Sequence, residues 1–204
     1  MNFMIKVILF DCDGPIIRRE KYFSARLMDL GIELDAKKIH DFFGKEFLLC
    51  ETGKADLKEE LAGRISAWGW DKSLEELLDF WFSGEADADK RMLEYIQVLR
   101  QKGIACYLST NNEKYRVRYL WSMVGLSEFL NGTLASFELG FLKPQVEFWQ
   151  EAHKRIPKVR KAEVLVIDDT PSVIASAKAF GFNAQLHKDF NSTKYIIYTY
   201  LNTV

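Results

Sequence analysis

Residues 4–14, MIKVILFDCDG, are the most informative stretch of the chain. The apolar run from Phe3 to Phe10 predicts a short, buried parallel strand, which turn residues then end. In an open α/β sheet, ligands bind outside the carboxyl ends of the strands. Asp11 and Asp13 follow this strand, so we expect two carboxylates to face one small volume, where a cation or hydrogen-bond donors must offset their repulsion. Gly14 suits the sharp turn that follows. An ordinary solvated turn is the alternative, because Asp and Gly are common in turns.

Three further segments place polar side chains at a predicted strand end or helix start. They are the end of strand 104–108 (IACYL), followed by Ser109, Thr110 and Asn111; Lys143, which precedes a helix-initiating proline; and the end of strand 164–167 (VLVI), followed by Asp168 and Asp169. Each segment alone has an ordinary interpretation as a loop, a cap or a turn. Together they are more specific, because motif matches gain weight when each stands in the structural context that its chemistry needs.

The ordered set of four motifs resembles the haloacid dehalogenase (HAD) superfamily of phosphohydrolases, and the resemblance covers nearly the whole chain. The first motif is Asp11 with Asp13, the second is Ser109, the third is Lys143, and the fourth is Asp168 with Asp169. The resemblance implies a Rossmann-like α/β core. Alternating strands and helices independently favour a parallel sheet that is covered on both faces.

The chain divides into a predicted core, residues 1–16 and 87–204, and a predicted cap, residues 17–86. In the cap, helical patterns cover residues 20–30, 35–43, 55–68 and 73–82, and no convincing strand is seen. We therefore predict an all-helical insertion. Its position between the first and second motifs resembles one subfamily of these hydrolases, in which the cap is inserted at that point.

The resemblance implies a role for each motif residue. Asp11 is the expected nucleophile, which forms an aspartyl-phosphate, and Asp13 is the expected general acid and base. Ser109, Lys143 and the neighbouring Thr110 and Asn111 are expected to bind phosphoryl oxygens, with Thr110 taking the place of Ser109 if the strand ends one residue later.

Magnesium is the expected cofactor, because carboxylate and carbonyl oxygens are its preferred ligands. The resemblance assigns Asp11, Asp169 and the backbone carbonyl of Asp13 as direct ligands. Asp168 is placed in the outer shell or on a bridging water.

The expected function is a Mg²⁺-dependent phosphatase that acts on a small phosphorylated metabolite. The context IDDTPSVIASAKAFGF, residues 167–182, is most similar to sugar-phosphate phosphatases, including the phosphatase domain of soluble epoxide hydrolase. A phosphomutase of the β-phosphoglucomutase type and a catalytically weak HAD-fold binding protein are the alternatives. A dehalogenase is disfavoured, because expelling halide needs no proton from Asp13. Arg18 and Arg19 depart from the family pattern, either as solvated surface or as contacts for an anionic substrate.

The composition limits the classes of partner and the cellular setting that are expected. The 204 residues carry a net charge of −1, so no basic field attracts nucleic acid. Three cysteines without metal-ligand spacing favour a reduced, cytoplasmic setting. No apolar stretch is long enough to predict a membrane span. The expected partner is the phosphorylated substrate alone, and the sequence predicts no oligomeric state.

Overall fold

The computed structural model describes residues 4–31 and 33–202. Phe3, which begins the predicted apolar run, and the outer ends of the predicted core ranges lie outside these residues. The strands are β1 Val7–Asp11, β2 Ile17–Arg18, β3 Asp87–Ala88, β4 Ala105–Thr110, β5 Gly132–Ala135, β6 Val164–Asp168 and β7 Asn183–Leu186. Five of them form a parallel sheet in the order β5-β4-β1-β6-β7.

Helices surround this sheet and fill the segment between β2 and β3. They are α1 Phe23–Met28, α2 Ala36–Gly44, α3 Glu46–Glu51, α4 Leu57–Ala62, α5 Leu74–Ser83, α6 Lys90–Gln101, α7 Lys114–Arg118, α8 Leu126–Phe129, α9 Ser136–Leu139, α10 Val146–Arg155, α11 Pro171–Phe180 and α12 Phe190–Asn202. In the part of the chain that the structure describes, no helix has the length and apolar character needed to cross a bilayer.

The sheet is buried on both faces, as the sequence predicts. Alternate residues of a strand point to opposite faces. Along β1, Ile8 and Phe10 belong to one apolar cluster, which includes residues of α6 and α12. Val7 and Leu9 belong to a second cluster, which includes residues of α10 and α11. The predicted α/β fold with a doubly covered parallel sheet is therefore confirmed.

Helices α1 to α5 enclose a separate apolar cluster made of residues between 23 and 82. Within this cluster Phe23 stacks on Trp81, with ring centroids 4.6 Å apart. The spacing of Ser73 and Glu76 predicts a capping box at the start of α5, and the two residues exchange the expected hydrogen bonds. A segment with its own core is able to act as a unit, so we retain residues 17–86 as a proposed cap.

The sequence predicts no strand between residues 17 and 86. This prediction is wrong at the start of that range. Ile17 pairs with Ala88, and Arg18 pairs with Asp87, in a two-residue antiparallel ribbon. The chain leaves the core and returns to it at the same place, so its two ends run side by side. A ribbon of this length carries no periodic sequence pattern.

Other element boundaries also differ from the predictions. The predicted helix 55–68 is broken into α4 and a 3₁₀ turn at Ser66–Trp68, because Gly63, a poor helix former, ends α4. The sequence also predicts a helix over residues 113–124, and this segment is α7 followed by a π-helical turn at Tyr119–Met123. Helices α3 and α12 were not predicted.

Candidate active site

Three neighbouring strands end in the residues that the sequence singles out. β1 ends at Asp11, β4 at Thr110 and β6 at Asp168, and β1 lies between the other two. Ser109 is the register partner of Asp11, and register partners in parallel strands point to the same face of a sheet. The structure thus brings Asp11, Ser109 and Asp168 together at one edge.

Lys143 reaches this edge from the loop between α9 and α10. Its Nζ lies 2.6 Å from Asp11 Oδ1 and 2.6 Å from Asp168 Oδ2, and it donates to the carbonyl of Ser109 at 3.3 Å. The side chain is buried. Burial favours the neutral amine, but the two carboxylates outweigh it and raise the pKa of Lys143 above its ordinary value. Lys143 is therefore a fixed positive charge between two acids.

Asp11 has an unusual protonation equilibrium for an aspartate. Burial, with contributions from the neighbouring carboxylates of Asp168 and Asp13, raises its pKa to about 7, although Lys143 acts in the opposite direction. Such a carboxylate is ionised more readily when further positive charge lies beside it. The site thus needs more positive charge than Lys143 supplies.

A cluster of three carboxylates offers a place for that charge. Asp11, Asp168 and Asp169 each present an oxygen, and these oxygens lie within 4.8 Å of one another. Three hard oxygen donors suit Mg²⁺. Asp11 and Asp168 are buried and Asp169 is exposed, so the cluster opens towards solvent on the side of Asp169. These residues fit the expected magnesium ion.

Gly14 allows the loop after β1 to approach this cluster. Its φ is +95°, a conformation that favours glycine, and a Cβ there would lie 2.5 Å from Asp169 Oδ2. The turn expected at Gly14 is present. A side chain at this position would push Asp169 away from the other two acids.

The residues at and just after the end of β4 differ in their surroundings. Ser109 Oγ is buried and has no hydrogen-bond partner. The Thr110 hydroxyl is also buried and accepts a hydrogen bond from Asn112 Nδ2 at 2.7 Å. Asn111 Oδ1 accepts from the backbone N–H of Lys143 at 2.9 Å. Although β4 extends to Thr110, Ser109 is the residue that shares the register and face of Asp11. A buried hydroxyl without a partner is costly, so Ser109 Oγ is suited to a ligand oxygen.

Asp13 lies in an ion pair that the sequence analysis did not anticipate. Arg116, on α7, donates to both of its oxygens, from Nη2 at 2.6 Å and from Nη1 at 2.9 Å. Burial opposes ionisation of Asp13, but Arg116, with smaller effects of Arg19 and Lys143, lowers its pKa below the ordinary value. In this arrangement Asp13 is a carboxylate and not a carboxylic acid.

The same arginine also contacts the base of the proposed cap. Arg116 Nε lies 3.6 Å from Glu85 Oε2, and Arg116 Nη2 donates to the Glu85 carbonyl at 3.4 Å. Arg19 Nη1 lies 3.7 Å from both Asp13 and Glu85, whereas Arg18 pairs with Asp87 on the surface. Of the two arginines that depart from the family pattern, only Arg19 faces the site.

Arg116 has a recognisable sequence signal. Glu113, Arg116, Val117 and Leu120 are spaced three and four residues apart and are all buried, so they share one helical stripe. Two charged residues on a stripe that is otherwise apolar indicate a buried polar network. The place of Arg116 in the sequence, however, does not show which acid it contacts, because Asp13 lies in a distant part of the chain.

Comparison with known proteins identifies the family. A sequence profile of haloacid dehalogenase-like hydrolases matches residues 5–181, which is most of the chain. The protein therefore belongs to the haloacid dehalogenase-like hydrolases, as the four motifs predict.

Solved structures show the same fold. A predicted HAD-like hydrolase from Porphyromonas gingivalis is 22% identical, with a TM-score of 0.79 over 99% of this chain and 100% of that chain. A HAD family enzyme from Bacteroides thetaiotaomicron, in complex with magnesium and inorganic phosphate, is 20% identical, with a TM-score of 0.77 over 93% of this chain and 98% of that chain.

A curated relative is a sesquiterpene phosphatase from Aspergillus oryzae, which is 30% identical over 93 residues. The match covers 46% of this chain and 47% of that protein, so it spans about half the length of either.

Proposed function

We propose that the protein is a magnesium-dependent phosphatase that hydrolyses a small phosphorylated metabolite through an aspartyl-phosphate. The observation that carries this proposal is the position of Asp11. It lies at a strand end, bound to Lys143, beside two further carboxylates and in register with a serine whose hydroxyl is unpartnered. The match to a named phosphatase and to a fold neighbour solved with magnesium and phosphate supports the same function.

In the first half-reaction, an Asp11 oxygen attacks phosphorus. The new O–P bond forms as the bond between phosphorus and the leaving oxygen breaks, and Asp13 gives its proton to that oxygen. Lys143 and the Ser109 hydroxyl hold phosphoryl oxygens. Because Arg116 keeps Asp13 ionised in the structure described here, Asp13 needs to leave this ion pair, at least in part, before it can donate a proton.

In the second half-reaction, Asp13 is the base. It takes a proton from water, the water oxygen bonds to phosphorus, and the bond to Asp11 breaks, which releases inorganic phosphate. The ionised state that Arg116 favours is the state that this step needs. When bound, Mg²⁺ would offset the repulsion between the phosphate and the acids, held by Asp11, Asp169 and the Asp13 carbonyl, with Asp168 in its outer shell.

The size of the repulsion explains why added charge matters. Two unit charges about 4 Å apart at an effective dielectric constant near 20 repel by about 4 kcal/mol. A phosphate dianion beside Asp11 experiences roughly twice that. Lys143 is already shared between Asp11 and Asp168, so it offsets only part of this energy.

The direct test is phosphate release from an aryl phosphate. We expect activity with Mg²⁺, loss of activity in excess EDTA, and loss of activity in Asp11→Asn, with Asp71→Asn as a control for an exposed aspartate. Undiminished release in EDTA would contradict the metal assignment. Isomerisation of a sugar monophosphate that is activated by a bisphosphate and releases no net inorganic phosphate would point to the phosphomutase instead.

The resemblance of residues 167–182 implies a sugar phosphate as the substrate. A panel of phosphorylated metabolites tests this expectation. The cavity beside Asp13, which is lined mostly by apolar side chains, favours a different alcohol.

A further inference from the structure

A cavity of about 690 Å³ opens beside the candidate active site, between the proposed cap and the core. Asp13, Asn111 and Arg116 line its inner end. Its volume lies in the range of sites that bind ligands of drug-like size. It is therefore large enough for an organic group well beyond the phosphate itself.

The walls of this cavity are mostly apolar. The large apolar side chains that line it include Tyr22, Phe23, Met28, Ile39, Phe43 and Trp81. Tyr22 and Met28 are among the exposed large hydrophobic residues of the chain, although soluble proteins rarely leave such groups together without a function. The apolar surface thus continues from the buried wall to the mouth.

Most charged groups at the inner end have partners within the protein. Glu51 also lines the cavity, and burial raises the pKa of its carboxyl to about 7. Asp13 is held by Arg116, and Glu85 accepts a hydrogen bond from the backbone N–H of Phe23 at 2.8 Å. The Arg19 guanidinium lies over the Tyr22 ring, 4.0 Å from its centroid. A sugar would bury several hydroxyls here, and each hydroxyl without a partner costs binding energy. A hydrocarbon group carries no such cost.

The proposed chemistry places the leaving group on this side. A general acid must lie within hydrogen-bond reach of the oxygen that it protonates. Asp13 therefore marks the position of the leaving oxygen, and the carbon skeleton attached to that oxygen extends away from phosphorus. The cavity that begins at Asp13 is the space available to it.

We propose that this cavity binds the alcohol part of the substrate and that the substrate is a phosphomonoester of an apolar alcohol. This inference rests on the proposed phosphatase function and adds the substrate class. The apolar walls select the hydrocarbon, and the phosphate end lies at Asp11 and Lys143.

The test compares butyl, hexyl, octyl and decyl phosphate with glucose phosphate, ribose phosphate and an activated aryl phosphate. We expect kcat/KM to rise with chain length, by up to about fourfold for each methylene that becomes fully buried. We expect both sugar phosphates to be poorer substrates than octyl phosphate. A flat dependence on chain length, or a preference for the sugars, would overturn the inference.

Two substitutions connect the preference to the cavity. Ala25 lies on α1, lines the cavity and is exposed, so Ala25→Trp fills the mouth and should flatten the dependence on chain length. Met28→Gln places an amide in the apolar wall and should reduce the gain per methylene. Ala179→Trp, an exposed site on α11 outside the cavity lining, is the matched control and should keep the wild-type slope.

Binding of alkylphosphonates, which have no hydrolysable ester bond, separates this inference from the proposed function. Calorimetry in the presence of Mg²⁺ should show affinity rising from methyl- to decylphosphonate in wild type and less steeply in Ala25→Trp. If no phosphate ester is hydrolysed but this rise is seen, the proposed function fails and the apolar site stands. If the aryl phosphate is hydrolysed but affinity does not rise with chain length, the proposed function stands and the apolar site is refuted.

Discussion

Replacing Arg116 with methionine tests how strongly the buried ion pair holds Asp13. Methionine keeps an unbranched side chain of similar reach and removes the charge. In the wild type, the Arg116 side chain is 4% exposed, and its two partners, Asp13 and Glu85, are 21% and 4% exposed. The substitution therefore leaves two acids at a largely buried site with one cation fewer.

The expected loss of folding free energy follows from this geometry. Removing one partner of a buried ion pair costs about 3–5 kcal/mol, because the other charge stays buried and uncompensated. Arg19 remains 3.7 Å from both acids and offsets part of that loss. We therefore expect a destabilisation of about 3 kcal/mol, against less than about 0.5 kcal/mol for Arg118→Met, an exposed arginine on the same helix.

Urea unfolding in EDTA, at pH 7 and at decreasing pH, provides the measurement. Arg116 lowers the pKa of Asp13 below its ordinary value of 3.8. Asp13 thus contributes stability that is present above pH 3.8 and is lost as the pH falls through its lower folded-state pKa. The difference in stability between wild type and Arg116→Met should accordingly narrow below about pH 4.

A double-mutant cycle with Asp13→Asn isolates the pair. We expect a coupling energy of about 0.5–3 kcal/mol between the two positions. Arg116→Lys should restore only part of the stability, because lysine keeps the charge but lacks the two-pronged geometry. If Arg116→Met unfolds at the same urea concentration as Arg118→Met, or if the cycle shows no coupling, the ion pair does not hold Asp13 as described.

Three further outcomes are expected. Asp13→Asn should lower the rate for alkyl phosphates by about 10²–10⁴-fold and affect the first-step burst with an activated aryl phosphate much less; equal losses for both would give Asp13 a structural role only. Ser109→Ala should raise the KM for phosphate esters without lowering stability, because Ser109 Oγ makes no hydrogen bond in the protein; an unchanged KM would remove it from the phosphate site. Gly53→Ala should destabilise more than the roughly 1–2 kcal/mol expected for Gly103→Ala. Both glycines have positive φ, but only at Gly53 would a Cβ lie 2.2 Å from a backbone oxygen, that of Phe137; equal unfolding midpoints would refute that contact.

The sheet and the positions of its polar strand ends were predictable because the signals are local. The apolar runs before Asp11, Ser109 and Asp168 are short, uninterrupted and followed by polar residues, and parallel topology then brings their ends to one edge. The position of Lys143 in the site was predictable only from the family resemblance, since a lysine in a loop has no sequence pattern that shows where its side chain points.

The structural elements that the sequence did not predict depend on contacts between distant segments. The ribbon of β2 and β3 exists because the chain returns to the point where it left the core, and two residues show no periodicity. Helix α12, residues 190–202, contains several β-branched and aromatic residues, whose intrinsic preference favours strands. Packing against the sheet decides its conformation, and Ile197 is buried in that core.

The pKa values of Asp11 and Asp13 are shifted in opposite directions, and this difference constrains the first chemical step. Burial raises the pKa of Asp11 to about 7, whereas Arg116 lowers that of Asp13. The proposed attack needs the opposite order, with Asp11 ionised and Asp13 protonated. Positive charge at the carboxylate cluster favours ionised Asp11, and weakening of the Arg116 pair favours protonated Asp13. Because Arg116 also contacts Glu85 at the base of the proposed cap, we expect that any movement of this segment on substrate binding changes the protonation of Asp13.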